Sequence, residues 1–370
     1  MRCEWRKVPL SSLCLKIGSG ATPRGGKESY KESGIALIRS QNILDFSFSP
    51  DGLAFIDESQ AVQLDNVIVQ NNDVLINITG DSVARVCMAP GEYLPARVNQ
   101  HVAIVRTDPQ KANTQFIFYF LQYIKEHLLS LASSGATRNA LTKKMLEDLS
   151  IDTPPLLIQR AIANTLSALD AKIAGNTKMN HHLEQMAQAI FAGTFSTSAV
   201  PDIGNLSVLI EFKNGKSRPM DAGTVPVYGG NGILSYTSQS NAKNVIIIGR
   251  VGAYCGSIFL EPGSCWVSDN AIYAKSKLTN KEYFDYFLLQ RLALGTRHIG
   301  TSQPLLTQGI LNAIEVPVPT TSSIEVFNEK VTPLLERIRL NLAENARLSE
   351  LRNSLLPCLM SGELEITIEV

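Results

Sequence analysis

GATRNALTKKMLEDLSIDTPPLLIQRAIANTLSALDAKIAGNTKMNHHLEQMAQAI, residues 135–190, lies without a gap over GTSQPLLTQGILNAIEVPVPTTSSIEVFNEKVTPLLERIRLNLAENARLSELRNSL, residues 300–355. Ten of the fifty-six positions are identical: Gly135/Gly300, Leu141/Leu306, Thr142/Thr307, Leu146/Leu311, Pro154/Pro319, Leu169/Leu334, Ile173/Ile338, Asn176/Asn341, Asn180/Asn345 and Leu183/Leu348. Apolar positions between the identities also agree, as Ile162 with Phe327, Leu166 with Val331, Met186 with Leu351 and Ile190 with Leu355. A repeat of this length fixes the architecture before any motif is considered.

Both copies change character at their prolines. From Ile158 the apolar residues recur at Ile162, Leu166, Leu169, Ile173, Leu183, Met186 and Ile190. From Ile324 they recur at Phe327, Val331, Leu334, Ile338, Leu342, Leu348, Leu351 and Leu355. Three-and-four spacing over such a length predicts a long helix with one apolar seam. Pro154-Pro155 and Pro317-Val318-Pro319 stop what precedes, so each helix starts just after them. About thirty-five residues give a rod of ~50 Å. Two rods with single seams are expected to pair antiparallel within the chain, with one domain at each end. Asn176, Asn180, Asn341 and Asn345 fall near mid-seam, where they either fix register or face solvent.

Upstream the copies correspond with small shifts. FIFYFL from Phe116 resembles YFDYFL from Tyr283, VNQHVAIV from Val98 resembles VSDNAIYA from Val267, and Gly20-Ala-Thr-Pro23 resembles Gly215-Lys-Ser-Arg-Pro219. These regions carry short β-type runs (34–38, 73–78, 102–105, 244–248, 265–267) bounded by turn residues, and each aromatic run reads as one buried helix. The expected fold class is α+β: two mixed α/β domains (1–154 and 196–319) and two long antiparallel helices (155–195 and 320–370) in an intramolecular coiled coil with a pseudo-twofold repeat.

Composition narrows the function classes. With 370 residues, 44% hydrophobic and 18% charged, the chain has material for real cores, which excludes disorder as the main state. Lys plus Arg and Asp plus Glu each number 34, so a polyanion would be held by local basic patches and a histone-like polycation is excluded. No apolar run approaches a membrane span, and residues 1–13 lack a signal-peptide segment, so a cytoplasmic protein is expected. The six cysteines have neither Cys-x-x-Cys spacing nor a nearby His pair, and read as reduced buried thiols.

Two unlike domains at the ends of paired rods suit a duplex target with two different half-sites and an unread spacer. In order, spacing and repeat, the chain resembles the specificity subunits of type I restriction-modification enzymes. The resemblance runs through Trp5 to Gly20 and Pro23, LTKKMLEDLSIDTPPLLIQ from Leu141, LLTQGILNAIEVPVP from Leu305 and LLPCLMSGEL from Leu355. Where the family commonly continues Pro-Pro-Leu with Glu-Glu-Gln, this chain has Leu156-Leu-Ile-Gln159 and Thr320-Thr-Ser-Ser-Ile-Glu325, which leaves the helix starts open. The resemblance implies a non-catalytic reader of double-stranded DNA that recruits two methyltransferase subunits and, through them, restriction subunits. It also implies that S-adenosylmethionine, ATP and magnesium belong to those partners, with no cofactor or metal in this chain and no membrane association.

Base edges are read by Arg, Asn, Gln and small polar groups, and phosphates by Lys, Arg and turn amides. Candidate DNA contacts are therefore Arg24 and Lys27 in the first basic turn, Lys216 and Arg218 in its copy, and Arg39, Gln41 and Asn42 with their counterpart Asn231. Arg138, Asn139 and Lys143 before the first prolines, Arg297, His298 and Gln303 before the second, and Arg250 complete the set. Each also reads as a solvated charge or a turn-closing group. Candidate helix-pairing residues are Ile162, Leu166, Leu169, Ile173, Leu183, Ile190, Phe327, Val331, Leu334, Ile338, Leu348 and Leu355. Two other classes compete: an assembly scaffold that uses the rods without reading DNA, and a metal nuclease built on Asp202, Glu211 and Lys213. Against the nuclease, the first copy has Lys16 where the second has Glu211.

Overall fold

The computed structural model describes residues 5–133, 139–195, 202–278, 281–300 and 303–366. By internal contacts the chain forms two compact units, Met1–Gly175 with Glu344–Val370, and Asn176–Ala343. Each unit thus contains one globular region and half of each long helix.

The first unit carries strands β1 (Arg6–Pro9), β2 (Cys14–Ser19), β3 (Ile35–Ile38), β4 (Ala54–Ile56), β5 (Ile68–Val69), β6 (Val74–Asn77), β7 (Val86–Met88), β8 (Ala96–Val98), β9 (Val102–Thr107) and β10 (Ser150–Thr153). They form two four-stranded sheets, β2-β9-β6-β7 and β4-β3-β8-β5, and the pair β1-β10. Helices α1 (Glu58–Val62), α2 (Thr114–Tyr123), α3 (Lys125–Ser133) and α4 (Lys143–Glu147) complete it before α5 (Leu156–Phe195).

The second unit has β11 (Asp202–Asn205), β12 (Ile210–Asn214), β13 (Val225–Gly229), β14 (Gly232–Thr237), β15 (Ala242–Gly249), β16 (Ile258–Val267), β17 (Ala271–Ser276) and β18 (Glu315–Val318). One six-stranded sheet, β12-β17-β15-β16-β13-β14, stands beside the pair β11-β18. Its helices are α6 (Glu282–Arg291), α7 (Gln308–Asn312) and then α8 (Thr321–Met360). Pro317 lies inside β18, which pairs with β11 alone, so its missing N–H falls on the free edge of a two-stranded ribbon.

The repeat identities have physical reasons. Thr142 and Thr307 are N-caps whose hydroxyls accept from Met145 N and Ile310 N, each at 3.2 Å. Leu141 and Leu306, with Leu146 and Leu311, are buried beside those caps. Leu149 O and Ile314 O accept from Leu10 N and Leu206 N, at 2.8 and 2.7 Å, tying the opening of each globular region to its end.

Each long helix runs 40 residues, five more than its seam predicts and about 60 Å of rise. Pairing is antiparallel within each unit. Ile162, Ala163 and Leu166 of early α5 share a core with Leu356, Leu359 and Met360 of late α8, with Leu355 packed against it. Ala187 and Phe191 of late α5 meet Phe327 and Val331 of early α8, with Ile190 and Leu334 alongside. Leu169, Ile173, Leu183 and Leu348 are half-buried and Ile338 is buried. Met186, Leu342 and Leu351 are not seam residues: they stand 52%, 58% and 46% exposed, because 40 residues of 3.6 periodicity drift off any single line.

Polar residues take part of the seam instead. Asn176, Asn180 and Asn341 are buried. In the second unit Asn341 Nδ2 donates to Asn180 Oδ1 at 2.7 Å, and in the first Asn345 Nδ2 donates to Ile173 O at 3.4 Å. A buried amide pair costs stability and fixes register. Asn341→Leu should therefore destabilise the second unit by about 1–3 kcal/mol, because Asn180 loses its donor. Asn180→Leu/Asn341→Leu should regain most of that loss. Trp266, the second unit's own tryptophan, follows both variants in denaturant once Trp5 is replaced by Phe. A double variant as weak as the single would contradict the pairing.

Among the described residues no helix is long and apolar enough to cross a membrane, and no cluster of three or more His, Cys, Asp or Glu could hold a metal. Burial pushes the thiols of Cys14, Cys87 and Cys265 up to about 12, which keeps them protonated.

Candidate nucleic-acid interface

In each unit four turns are tied together by backbone hydrogen bonds, and the two sets of bonds correspond. In the first unit Gly20 N donates to Val102 O and Ala21 N to Val98 O, at 2.8 and 3.1 Å. In the second Gly215 N donates to Ala271 O and Lys216 N to Val267 O, both at 3.0 Å. A Cβ on Gly20 would stand 2.0 Å from Val98 O, and one on Gly215 1.9 Å from Ser268 O. Only glycine permits that approach, and it sets Ala21 and Lys216 against the 98–102 and 267–271 turns.

The third and fourth turns join in the same way. Ile78 N donates to His101 O, Leu141 N to Ile78 O and Gly80 N to Asn139 O, at 2.9, 2.8 and 3.2 Å. In the second unit Arg250 N donates to Asn270 O, Leu306 N to Arg250 O and Gly252 N to Pro304 O, at 3.0, 2.9 and 3.0 Å. One backbone frame thus occurs twice, Ile78 being equivalent to Arg250, Thr79 to Val251, Asn139 to Pro304, Asn99 to Ser268 and His101 to Asn270. The side chains differ in each of these five pairs, while Leu141 and Leu306, Val98 and Val267, and Gly80 and Gly252 are identical between the frames.

The chemistry of the tips differs accordingly. In the first unit Thr79 Oγ1 and His101 Nδ1 are 2.6 Å apart, Gln100 Nε2 is 3.2 Å from His101 Nε2, and Asn99 Oδ1 accepts from His101 N at 3.1 Å. Asn77 ties in the neighbouring loop through Ser40 O at 2.9 Å. In the second unit the enclosed atoms Arg250 Nε, Ser268 Oγ and His298 Nδ1 have no partner. Arg218 is exposed, with Nε donating to Ser235 Oγ at 3.2 Å.

The bonded turns carry Asn139 in the first unit and, in the second, Lys216, Arg250, His298 and the exposed Gln303, which follows Ile299 in the loop that Leu305 closes; Arg24 is exposed four residues beyond Gly20. Arg297 is exposed in the same loop, with Nε donating to Leu292 O at 2.8 Å. Asn231 is exposed at the two-residue turn between β13 and β14. Arg138 lies outside the described residues, as does the side chain of Lys27.

Four expected contacts are held in local bonds or lie apart from the bonded turns. Asn42 is fully buried, its amide donating to Ser49 O and Asp51 O and accepting from Arg39 N at 3.0 to 3.1 Å, so it closes a turn and offers nothing outward. Arg39 is bound to Gly52 O and lies 5.4 Å from the Tyr30 ring, and Gln41 reaches the same loop carbonyls at 3.3 to 3.4 Å. Lys143 lines a separate groove with Lys16 and Asn66, and faces Glu147 at 3.4 Å. As for the nuclease reading, Glu211 is paired with Lys213 at 3.1 Å on β12, while Asp202 is on β11 in the other sheet.

Sequence reasoning missed Thr79, Asn99, Gln100, His101, Ser268 and Asn270. The match of Val98 to Val267 already placed 99–101 opposite 268–270, which is the signal that could have found them.

A specificity subunit named for the type I restriction enzyme MjaX of Methanocaldococcus jannaschii is 33% identical over 189 residues, 50% of this chain and 41% of that protein. The MjaVIII specificity subunit of the same organism is 20% identical over 87% of this chain and 86% of its own length. This chain thus spans about two fifths of the first relative and most of the second. The crystal structure of a type I restriction-modification S subunit from M. genitalium has the same fold, with a TM-score of 0.63 at 19% identity over 99% of this chain and 98% of that one. The family model describes a module for DNA specificity, not for a reaction, and it matches residues 3–185 and 202–349, most of the sequence on both sides of the first long helix's end. The chain belongs to the type I restriction modification DNA specificity domain family.

Proposed function

We propose that this chain is the non-catalytic, DNA-reading subunit of a type I restriction-modification complex. Each unit reads one half of an asymmetric bipartite target across an unread spacer, and the long helices recruit two methyltransferase subunits that restriction subunits join. S-adenosylmethionine, ATP and magnesium are held by those partners. The observation that carries this reading is the doubled backbone frame with unlike tips, since a common frame gives both halves one docking geometry and different side chains give them different sequences.

With its methyltransferase, the chain should protect and direct adenine methylation at one bipartite, non-palindromic sequence, which mapping of methylated adenines in genomic DNA would show. Neutral overall, it should still bind with an affinity that falls steeply with salt, because its contacts to phosphate are local lysines and arginines. Partner assembly without any protected or methylated sequence would leave a scaffold and overturn the reading.

A further inference from the structure

Arg250 occupies the point of the second frame where the first has Ile78. Its backbone is fixed on both sides, N donating to Asn270 O and O accepting from Leu306 N and from the Cys255 thiol. The side chain is half-buried and its Nε is enclosed without a partner. An enclosed donor left unpaired is costly unless a ligand completes it.

A second such atom lies across Leu306 from it. Leu305 bridges antiparallel to both Val251 and Ile299, so in register Arg250 and His298 flank Leu306 from either side. His298 Nδ1 is likewise enclosed and unpartnered, as is Ser268 Oγ on the adjoining turn. At the corresponding points the first frame has Ile78, which carries no side-chain donor, in place of Arg250, and Asn99, whose Oδ1 accepts from His101 N at 3.1 Å, in place of Ser268.

We infer that Arg250, with His298 on the other side of Leu306, is the side chain through which the second unit reads a guanine. The inference rests on the proposal that the chain reads DNA. Arginine offers donors only, in a planar fork, and guanine alone among the bases presents two adjacent acceptors, O6 and N7, in the major groove. A phosphate contact needs a reaching cation, whereas this guanidinium grows from an anchored backbone and is partly walled in, which fits a rigid reader of one base edge.

The test uses the full chain with its methyltransferase and duplexes drawn from a random-sequence library. The wild type should select a bipartite motif with a guanine in one half. Arg250→Ala should lower the preference for that guanine roughly 10- to 100-fold while every preference in the other half is kept, which also shows that the variant is folded. Arg250→Lys should keep affinity within a few-fold without restoring the guanine, since a point charge lacks the fork. An unchanged motif, or equal weakening on all sequences with a shallower salt slope, would overturn the inference and leave DNA reading intact. A wild type that selects no motif would defeat DNA reading, and the inference with it.

Discussion

Arg352→Ala should cost the first unit about 3 kcal/mol, the largest loss expected from any single side chain outside the apolar cores. Arg352, on the second half of α8, is 8% exposed and donates to Asp170 Oδ1 at 2.7 Å. The other Asp170 oxygen accepts from Tyr119 Oη at 2.5 Å, and the guanidinium carbon lies 3.5 Å from the Phe46 ring centre. Helix α5, helix α8 and two parts of the globular region thus meet at one charged side chain. Removing one member of an enclosed ion pair costs about 3–5 kcal/mol because the other charge is left uncompensated. Asp170 retains 23% of its side-chain exposure, so water recovers part of that, while the lost cation–π contact adds about 1 kcal/mol.

The repeat supplies the control. Displaced by 165 residues, Asp170 falls on Leu335 and Arg352 on Ala187, and the second unit packs both without charge. Asp170→Leu/Arg352→Ala should therefore regain about 2 kcal/mol, short of full recovery because the buried Tyr119 hydroxyl loses its acceptor. Denaturant unfolding followed at Trp5, with Trp266 replaced by Phe, reads the first unit. A single variant within 0.5 kcal/mol of wild type, or a double variant no better than the single, would show that the pair does not hold the helices to the domain.

The contrast between the two junctions shows what was legible beforehand. Helix positions and the doubled plan were readable because burial imposes a period, and Leu166, Val331 and Phe327 report it directly. The N-caps Thr142 and Thr307 were visible as identities though not as caps. The Asp170–Arg352 pair was not visible, since both positions read as ordinary charges on a helix and only the folded neighbourhood of Tyr119 and Phe46 encloses them. The candidate interface was legible in outline. Its basic turns follow from composition, but the His101 and Asn270 turns join them only through backbone hydrogen bonds between segments far apart in sequence. Asn42 shows the converse: an amide in a turn has the composition of a reader, and its complete burial is decided by the Ser49 and Asp51 carbonyls that fold over it.

Asp285 should make the second unit's stability depend on pH in a direction unusual for a carboxylate. It lies on α6 at 1% exposure, with Oδ2 enclosed and unpartnered, at the position where the repeat places the buried Phe118 of the first unit. Burial pushes its carboxyl up from 3.8 to about 7, aided by the Glu282 charge and opposed by the Ser276 hydroxyl and Lys281. Between those two values the folded unit holds a proton that the unfolded chain has released. Stability therefore falls as pH rises from about 4 to about 7 and stays at the lower level above it. The span corresponds to about 4 kcal/mol at most, at ~1.4 kcal/mol per pH unit. Asp285→Asn removes the charge at every pH. It should raise stability by about 2 kcal/mol at pH 8, because an amide in that cavity still lacks one partner, and change it little at pH 4. Midpoints of urea unfolding read at Trp266 between pH 4 and 8 would follow both chains. Parallel curves for the two would mean that water or a shift of Lys281 already relieves the buried charge, and the penalty assigned to Asp285 would then be absent.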